Sequence, residues 1–243
     1  MRVLAIIPSI LFYFFFGLTL GLFHPIQFIC YHLGGYGPHK RSVDLLNLCL
    51  VANLRLLGSK VTFSGLEHLP KDRSLIVVSN HQSMFDIPAA IWGFRHHHLK
   101  FISKKELGKG IPSISYNLRK SGALLIDRKK GSKAVQQITE WGQWVAEKNY
   151  SACIYPEGTR STTGQLKPFK PGGLKAIMEA IPDALIVPFV IDGNHKLFSN
   201  GIFPLKLGVH LKYSALDPIQ SSGQSLDIII SMIEERIKTS LGQ

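Results

Sequence analysis

Leu75-Ile76-Val77-Val78-Ser79-Asn80-His81-Gln82-Ser83-Met84-Phe85-Asp86 decides how this chain folds. An unbroken apolar run leads into a polar turn, and a second apolar run, Ile87-Pro88-Ala89-Ala90-Ile91-Trp92, follows. A short strand that is apolar at successive positions must be covered on both faces, which is the habit of α/β sheets. Loops at the ends of such strands usually carry the chemistry. Here that loop holds a histidine and an aspartate five residues apart.

The same alternation runs outward from this stretch. Strands are predicted at 61–63, 75–79, 100–103, 123–126, 152–155, 184–191 and 206–213. Helices are predicted at 84–94, 132–148, 173–180 and 225–241, with a short one over 106–118 interrupted near Gly110 and Pro112. The fold class is therefore α/β: a single domain with a mixed or parallel sheet flanked by helices, behind an N-terminal membrane-associated helical segment. Pro188, inside the apolar run Ile186-Val187-Pro188-Phe189-Val190, predicts an edge strand or a bulge. The division is residues 1–59 as a membrane-anchoring helical region and 60–243 as the α/β domain.

The anchoring region is set apart by charge. From Met1 to His39 the only Lys, Arg, Asp or Glu is Arg2, and residues 3–23 are rich in Phe, Leu and Ile. That length spans a bilayer as a helix. Pro8 and the cluster Phe12-Tyr13-Phe14-Phe15-Phe16 leave a second possibility, a segment inserted partway. Lys40 and Arg41 follow it and favour a cytoplasmic side for the remainder. Residues 44–57 form a leucine-rich helix, to be packed on the core or laid in the membrane interface, ending near Gly58.

Across its 243 residues the chain carries a formal net charge of +12. Such an excess attracts an anionic membrane surface, phosphorylated substrates or acidic carrier proteins. Nucleic acid is set aside, because neither a reading helix nor an exposed aromatic platform is recognisable. The three cysteines, Cys30, Cys49 and Cys153, are scattered in apolar surroundings and suggest neither a metal site nor a disulfide framework. His96-His97-His98 reads as a solvated loop ahead of a metal site.

On a continuous helix, positions five apart point about 140° away from each other. His81 and Asp86 can therefore meet only if the chain bends between them. Asp86 would then accept from one ring nitrogen and leave the other free to take a proton. Taken alone, the pair reads first as Asp86 complementing a helix N-terminus and His81 a satisfied turn residue. Two further strand ends carry basic groups: Gly122-Ala123-Leu124-Leu125-Ile126-Asp127-Arg128 and Tyr155-Pro156-Glu157-Gly158-Thr159-Arg160-Ser161. Arginine at a strand end can grip a phosphate in bidentate fashion, and Gly158 lets backbone amides approach a ligand. Glu157 would orient Arg160 or bond a substrate hydroxyl. Lys167-Pro168-Phe169-Lys170-Pro171-Gly172-Gly173 adds a basic turn ahead of a helix.

In this order and spacing, NHxxxxD, GxxxIDR, YPEGTRS and IVPFV resemble the four-block signature of the glycerolipid acyltransferase family. Within it the chain is similar to the bacterial 1-acylglycerol-3-phosphate acyltransferases, over about Ser74 to Ile191. The resemblance implies transfer of a fatty acyl group from an acyl thioester, acyl-CoA or acyl carrier protein, to the sn-2 hydroxyl of 1-acylglycerol 3-phosphate. The product would be phosphatidic acid, made at the inner membrane with the catalytic domain facing the cytoplasm. It implies His81 as general base and Asp86 as its partner. Arg128, Glu157, Gly158, Thr159, Arg160, Lys104 and Lys170 are then substrate-binding, and the acceptor is a membrane lipid, lysophosphatidate. Lys104-Lys105-Glu106-Leu107 and Ile111-Pro112 also look like the family's segment between the first two blocks. One departure is the absence of a glycine after Pro112, where Ser113-Ile114-Ser115 stands.

A thioester is already activated, so transfer needs a deprotonated hydroxyl, an oxyanion stabiliser and proximity, with no metal and no cofactor. No GxSxG or HExxH is present, and the expected route is direct attack without a covalent intermediate. Competing expectations are another acceptor (glycerol 3-phosphate, a lysophospholipid or a lyso-aminolipid) and, outside enzymes, a membrane-bound scaffold without activity.

Overall fold

A computed structural model of the protein describes residues 2–127, 131–220 and 224–243. Its strands are β1 (Lys60–Ser64), β2 (Leu75–Ser79), β3 (Leu99–Lys104), β4 (Leu124–Ile126), β5 (Ser151–Ile154), β6 (Leu185–Asp192) and β7 (His210–Ala215). They form one sheet in the order β1-β7-β6-β2-β5-β3-β4. All neighbours are parallel except β6 and β7, so the sheet is mixed. Helices are α1 (Ile6–Gly34), α2 (Tyr36–Asn53), α3 (Asp86–Gly93), α4 (Ile114–Lys120), α5 (Gly131–Glu147), α6 (Pro171–Ala180) and α7 (Leu226–Ser240).

β2 is buried at every position, and its side chains alternate between two cores. Leu75 and Val77 join Phe12, Val51 and Ala89 from α1–α3, and Phe85 just ahead of α3. Ile76 and Val78 join Ile138, Leu174, Ile177, Ile229 and Ile233 from α5–α7. Burying each such side chain contributes roughly 1.5–3 kcal/mol, so the strand that carries the polar turn is held firmly from both faces. The turn leaves from its C-terminal edge, between β5 and β6.

The edge-strand expectation for Pro188 is corrected, because β6 lies inside the sheet between β2 and β7. The missing N–H is absorbed by a change of register. Phe189 faces Ala215, and Leu216 N donates to Pro188 O, but Ile186 already faces Ile219. One extra residue on the opposing segment makes the bulge that accommodates a proline in a central strand.

α1 is longer than the sequence predicted. It runs past Phe23 and through Pro25, ending where Gly35 takes φ 72°. Tyr36 begins α2, well before the predicted start at residue 44. Ala5, Ser9, Phe12, Leu20 and Gln27 are buried along one side, while Ile7, Ile10, Phe14, Phe15, Leu18 and Leu22 are exposed on the other. The window of highest mean hydropathy, 2.3, is only 22% buried, unlike a core helix. Phe12 meets Phe85 edge to face at 5.5 Å, so the N-terminal region shares a core with the sheet domain.

Ser113 occupies the place where the resemblance led us to expect glycine, and it adopts φ 59°. A side chain there costs about 1–2 kcal/mol of backbone strain. Two bonds to α1 offset it: Ser113 Oγ donates to Leu20 O at 2.6 Å, and Ser113 N donates to His24 Nδ1 at 3.1 Å. Ser113→Ala keeps the strain and loses the hydroxyl bond, so it should destabilise by about 1–2 kcal/mol. Ser113→Gly loses the same bond but relieves the strain and should stay near the unsubstituted protein, as thermal melts would show. Equal losses would contradict this.

Candidate active site

His81 precedes α3 and Asp86 is its first residue, so the chain bends between them. His81 Nδ1 lies 2.7 Å from Asp86 Oδ2. Asp86 is fully buried, and donors surround its carboxylate. Oδ2 also accepts from Gln82 N at 2.6 Å and Ser83 N at 3.0 Å. Oδ1 accepts from Asn194 Nδ2 at 2.6 Å and Ser83 Oγ at 3.2 Å. Asn194 Oδ1 in turn accepts from Tyr213 Oη at 2.8 Å. A buried carboxylate without such partners would be expelled or protonated. These donors, arriving from several directions, fix its orientation.

His81 is held from behind as well. Its ring stacks on Tyr155 at 4.4 Å, and Ser161 N donates to its carbonyl at 2.7 Å. The sequence suggested that Glu157 orients Arg160 or meets substrate. Instead its oxygens accept from two backbone amides, His81 N at 2.6 Å and Lys167 N at 3.0 Å. With 2% of its surface exposed, Glu157 ties the β2 and β5 loops together. Burial pushes its carboxyl up, and the two amides oppose that. Glu157→Gln puts an amide donor against one of these N–H groups. It should cost about 1–3 kcal/mol in unfolding free energy; unchanged denaturant midpoints would contradict the tie.

His81 opens onto a cavity of about 640 Å³ that Lys104, Gly158, Thr159 and Arg160 also line. Gly158 sits at φ 72°, and a Cβ there would lie 3.2 Å from Lys170 Nζ, so the Lys170 amine packs beside this turn. Arg128 lies outside the described residues. The walls are mainly apolar, built by Phe16, Leu20, Leu46 and Leu50 of α1 and α2, Ile91 of α3 and Phe101 of β3, with Lys40, Asp44, Arg95 and Lys100 also in the lining. Lys104 and Lys100 both line it, so it follows β3 for about 13 Å. That volume and lining suit a small-molecule chain with one polar end. The three adjacent histidines diverge: His97 Nε2 meets Pro70 O, while His98 stacks on Tyr36 and Tyr150.

The sequence reading missed Asn194, Tyr213 and Lys100. Asn194 follows Gly193, where φ is 93° and an added Cβ would lie 2.3 Å from His210 O, so a side chain is excluded. Lys100 is 3% exposed, donates to Tyr36 Oη at 2.5 Å and lies over the rings of Tyr36 and Tyr150. Burial, with Lys40 nearby, lowers its pKa to about 7. The unfolded lysine, with its ordinary pKa near ~10.4, keeps its proton to higher pH, so stability should rise from pH 7 toward pH 10. Lys100→Met should flatten that rise in melts at stepped pH; an unchanged slope would contradict it.

With this geometry in place, comparison with known proteins is informative. Residues 60–192 match the family described as Acyltransferase. The chain belongs to the acyltransferase family. This acyltransferase is 26% identical over 206 residues to a sheep (Ovis aries) 1-acyl-sn-glycerol-3-phosphate acyltransferase alpha, covering 84% of this chain and 69% of the relative. It is 31% identical over 182 residues to a 1-acyl-sn-glycerol-3-phosphate acyltransferase of Limnanthes alba, covering 72% and 59%. A bacterial protein of that name, from Borreliella burgdorferi, is 25% identical over 204 residues, covering 83% and 80%. The crystal structure of a Thermotoga maritima 1-acyl-sn-glycerophosphate (LPA) acyltransferase has the same fold, with TM-score 0.81 and 24% identity, covering 100% of this chain and 97% of that one.

Proposed function

We propose that this acyltransferase transfers a fatty acyl group from an acyl thioester to the sn-2 hydroxyl of 1-acylglycerol 3-phosphate, giving phosphatidic acid. The observation that carries the reading is the His81–Asp86 pair opening onto an apolar cavity beside Lys104 and Arg160. With Nδ1 taken by Asp86, His81 Nε2 accepts the hydroxyl proton as the oxygen attacks the thioester carbonyl. The new C–O bond forms, the tetrahedral centre collapses, and the C–S bond breaks. The imidazolium returns its proton to the departing thiolate. Asp86 stabilises that imidazolium and, through Asn194, stays where it is needed.

Arg160, Lys104, Lys170 and Arg128 are assigned to the anionic groups of the substrates, with Gly158 and Thr159 shaping the turn. Glu157 is a positioning residue. The donor is acyl-CoA or acyl carrier protein. Residues 1–59 anchor the chain and residues 60–243 carry the reaction. The exposed side of α1 meets lipid; since its other side is packed on the sheet domain, it enters one leaflet of the inner membrane from the cytoplasmic face.

Purified protein in detergent, offered labelled acyl-CoA and acyl carrier protein with a panel of lyso-acceptors, should acylate lysophosphatidate. Acylation of glycerol 3-phosphate and not lysophosphatidate would overturn the acceptor assignment. His81→Ala should lose about 10²–10⁴-fold in kcat while its melting temperature holds. Asn194→Ala should lose less, in kcat more than in KM; near-normal turnover of the His81 variant would sink the mechanism.

A further inference from the structure

Ile202 and Phe203 stand at the tip of the connection between β6 and β7, with 77% and 47% of their surfaces exposed. Among the described residues beyond α1 they are the one adjacent pair of large apolar side chains left in the open. This is not a loose loop. Tyr13 Oη of α1 donates to Ile202 O, Leu205 N donates to Ser9 Oγ at 3.0 Å, and Phe198 stacks on Phe85 at 5.8 Å. The tip is therefore fixed against the N-terminal half of α1, and its apolar surface is continuous with that helix.

The connection leaves β6 beside the site, since Asn194 bonds Asp86 and His195 N donates to Gln82 Oε1. Lys196 and Lys206, which flank the tip in sequence, line with His210 and Lys212 a shallow depression of about 250 Å³, with Asp192 3.6 Å from Lys212. An apolar tip flanked by lysines matches an anionic bilayer, whose acyl boundary takes the former and whose headgroups attract the latter.

We propose that Ile202 and Phe203 enter an anionic lipid bilayer alongside α1, with Lys196 and Lys206 at headgroup level. The active-site mouth would then be held to the membrane on two sides. The proposal rests on the lipid-facing reading of α1, and the test separates the two.

Phe203→Trp, Ile202→Trp and Phe15→Trp proteins, each reconstituted into phosphatidylglycerol vesicles, would be compared with unsubstituted protein so that the emission of the native tryptophans is subtracted. At both tip positions the added emission should be blue-shifted and mostly lost when the lipid acyl chains carry bromine. Red-shifted emission that aqueous iodide quenches and bromolipid leaves intact would overturn the proposal if Phe15→Trp is quenched by bromolipid. If Phe15→Trp also escapes, the lipid contact of α1 falls with it. Adding Lys196→Glu and Lys206→Glu should weaken bromolipid quenching at residue 203 in phosphatidylglycerol and leave it unchanged in phosphatidylcholine. Insensitivity in both lipids would overturn the headgroup role of the lysines. None of these readings requires turnover, so failure of the acyl-transfer assignment would show separately.

Discussion

The structure turns on the buried Asp86 carboxylate and the donors gathered round it. An ion in an apolar interior is tolerated only when its lone pairs are filled. Here His81 Nδ1, two backbone amides, Ser83 Oγ and Asn194 Nδ2 fill them. These donors come from two segments 108 residues apart, so the ion is satisfied only when β2 and β6 lie side by side. The requirement couples site to fold: the turn itself supplies four of the five donors, and the fifth, Asn194 Nδ2, reaches Asp86 only in the assembled sheet.

The remaining parts follow from where that histidine is placed. Tyr155 and Glu157, arriving on the neighbouring strand, hold its ring and its backbone. The cavity beside it is walled by α1 and α2 on one side and β3 on the other, so the N-terminal helices wall the cavity as well as carrying the exposed apolar side of α1. Phe12 meeting Phe85 joins the two roles, because the residue just before Asp86 is packed on the helix whose other side is exposed.

Much of this was legible in the sequence. The unbroken apolar run at 75–78 suited a doubly covered sheet, and helix periodicity showed that His81 and Asp86 could meet only across a bend. Pro188 pointed to an edge or a bulge, and the bulge is what the structure has; the edge reading failed because the register slip that admits a proline to a central strand lies in the partner segment, near Asp217 and Pro218. Glu157 misled for a different reason: beside Arg160 it resembles half of an ion pair, and only the three-dimensional path shows backbone amides nearer. Asn194, Tyr213 and Lys100 carried no local signal. An asparagine after a glycine reads as a turn and a lysine at a strand start reads as solvated, until long-range packing buries both.

The most direct test of the central claim is the tautomer of His81. Long-range proton–nitrogen correlation spectra of [¹⁵N]histidine-labelled protein in micelles, with the His81 signal assigned by its loss in the Ala variant, report which nitrogen carries the proton. A carboxylate that orients a base requires neutral His81 to be protonated at Nδ1 and bare at Nε2. A signal showing the proton on Nε2, with Nδ1 bare against Asp86, would contradict the account.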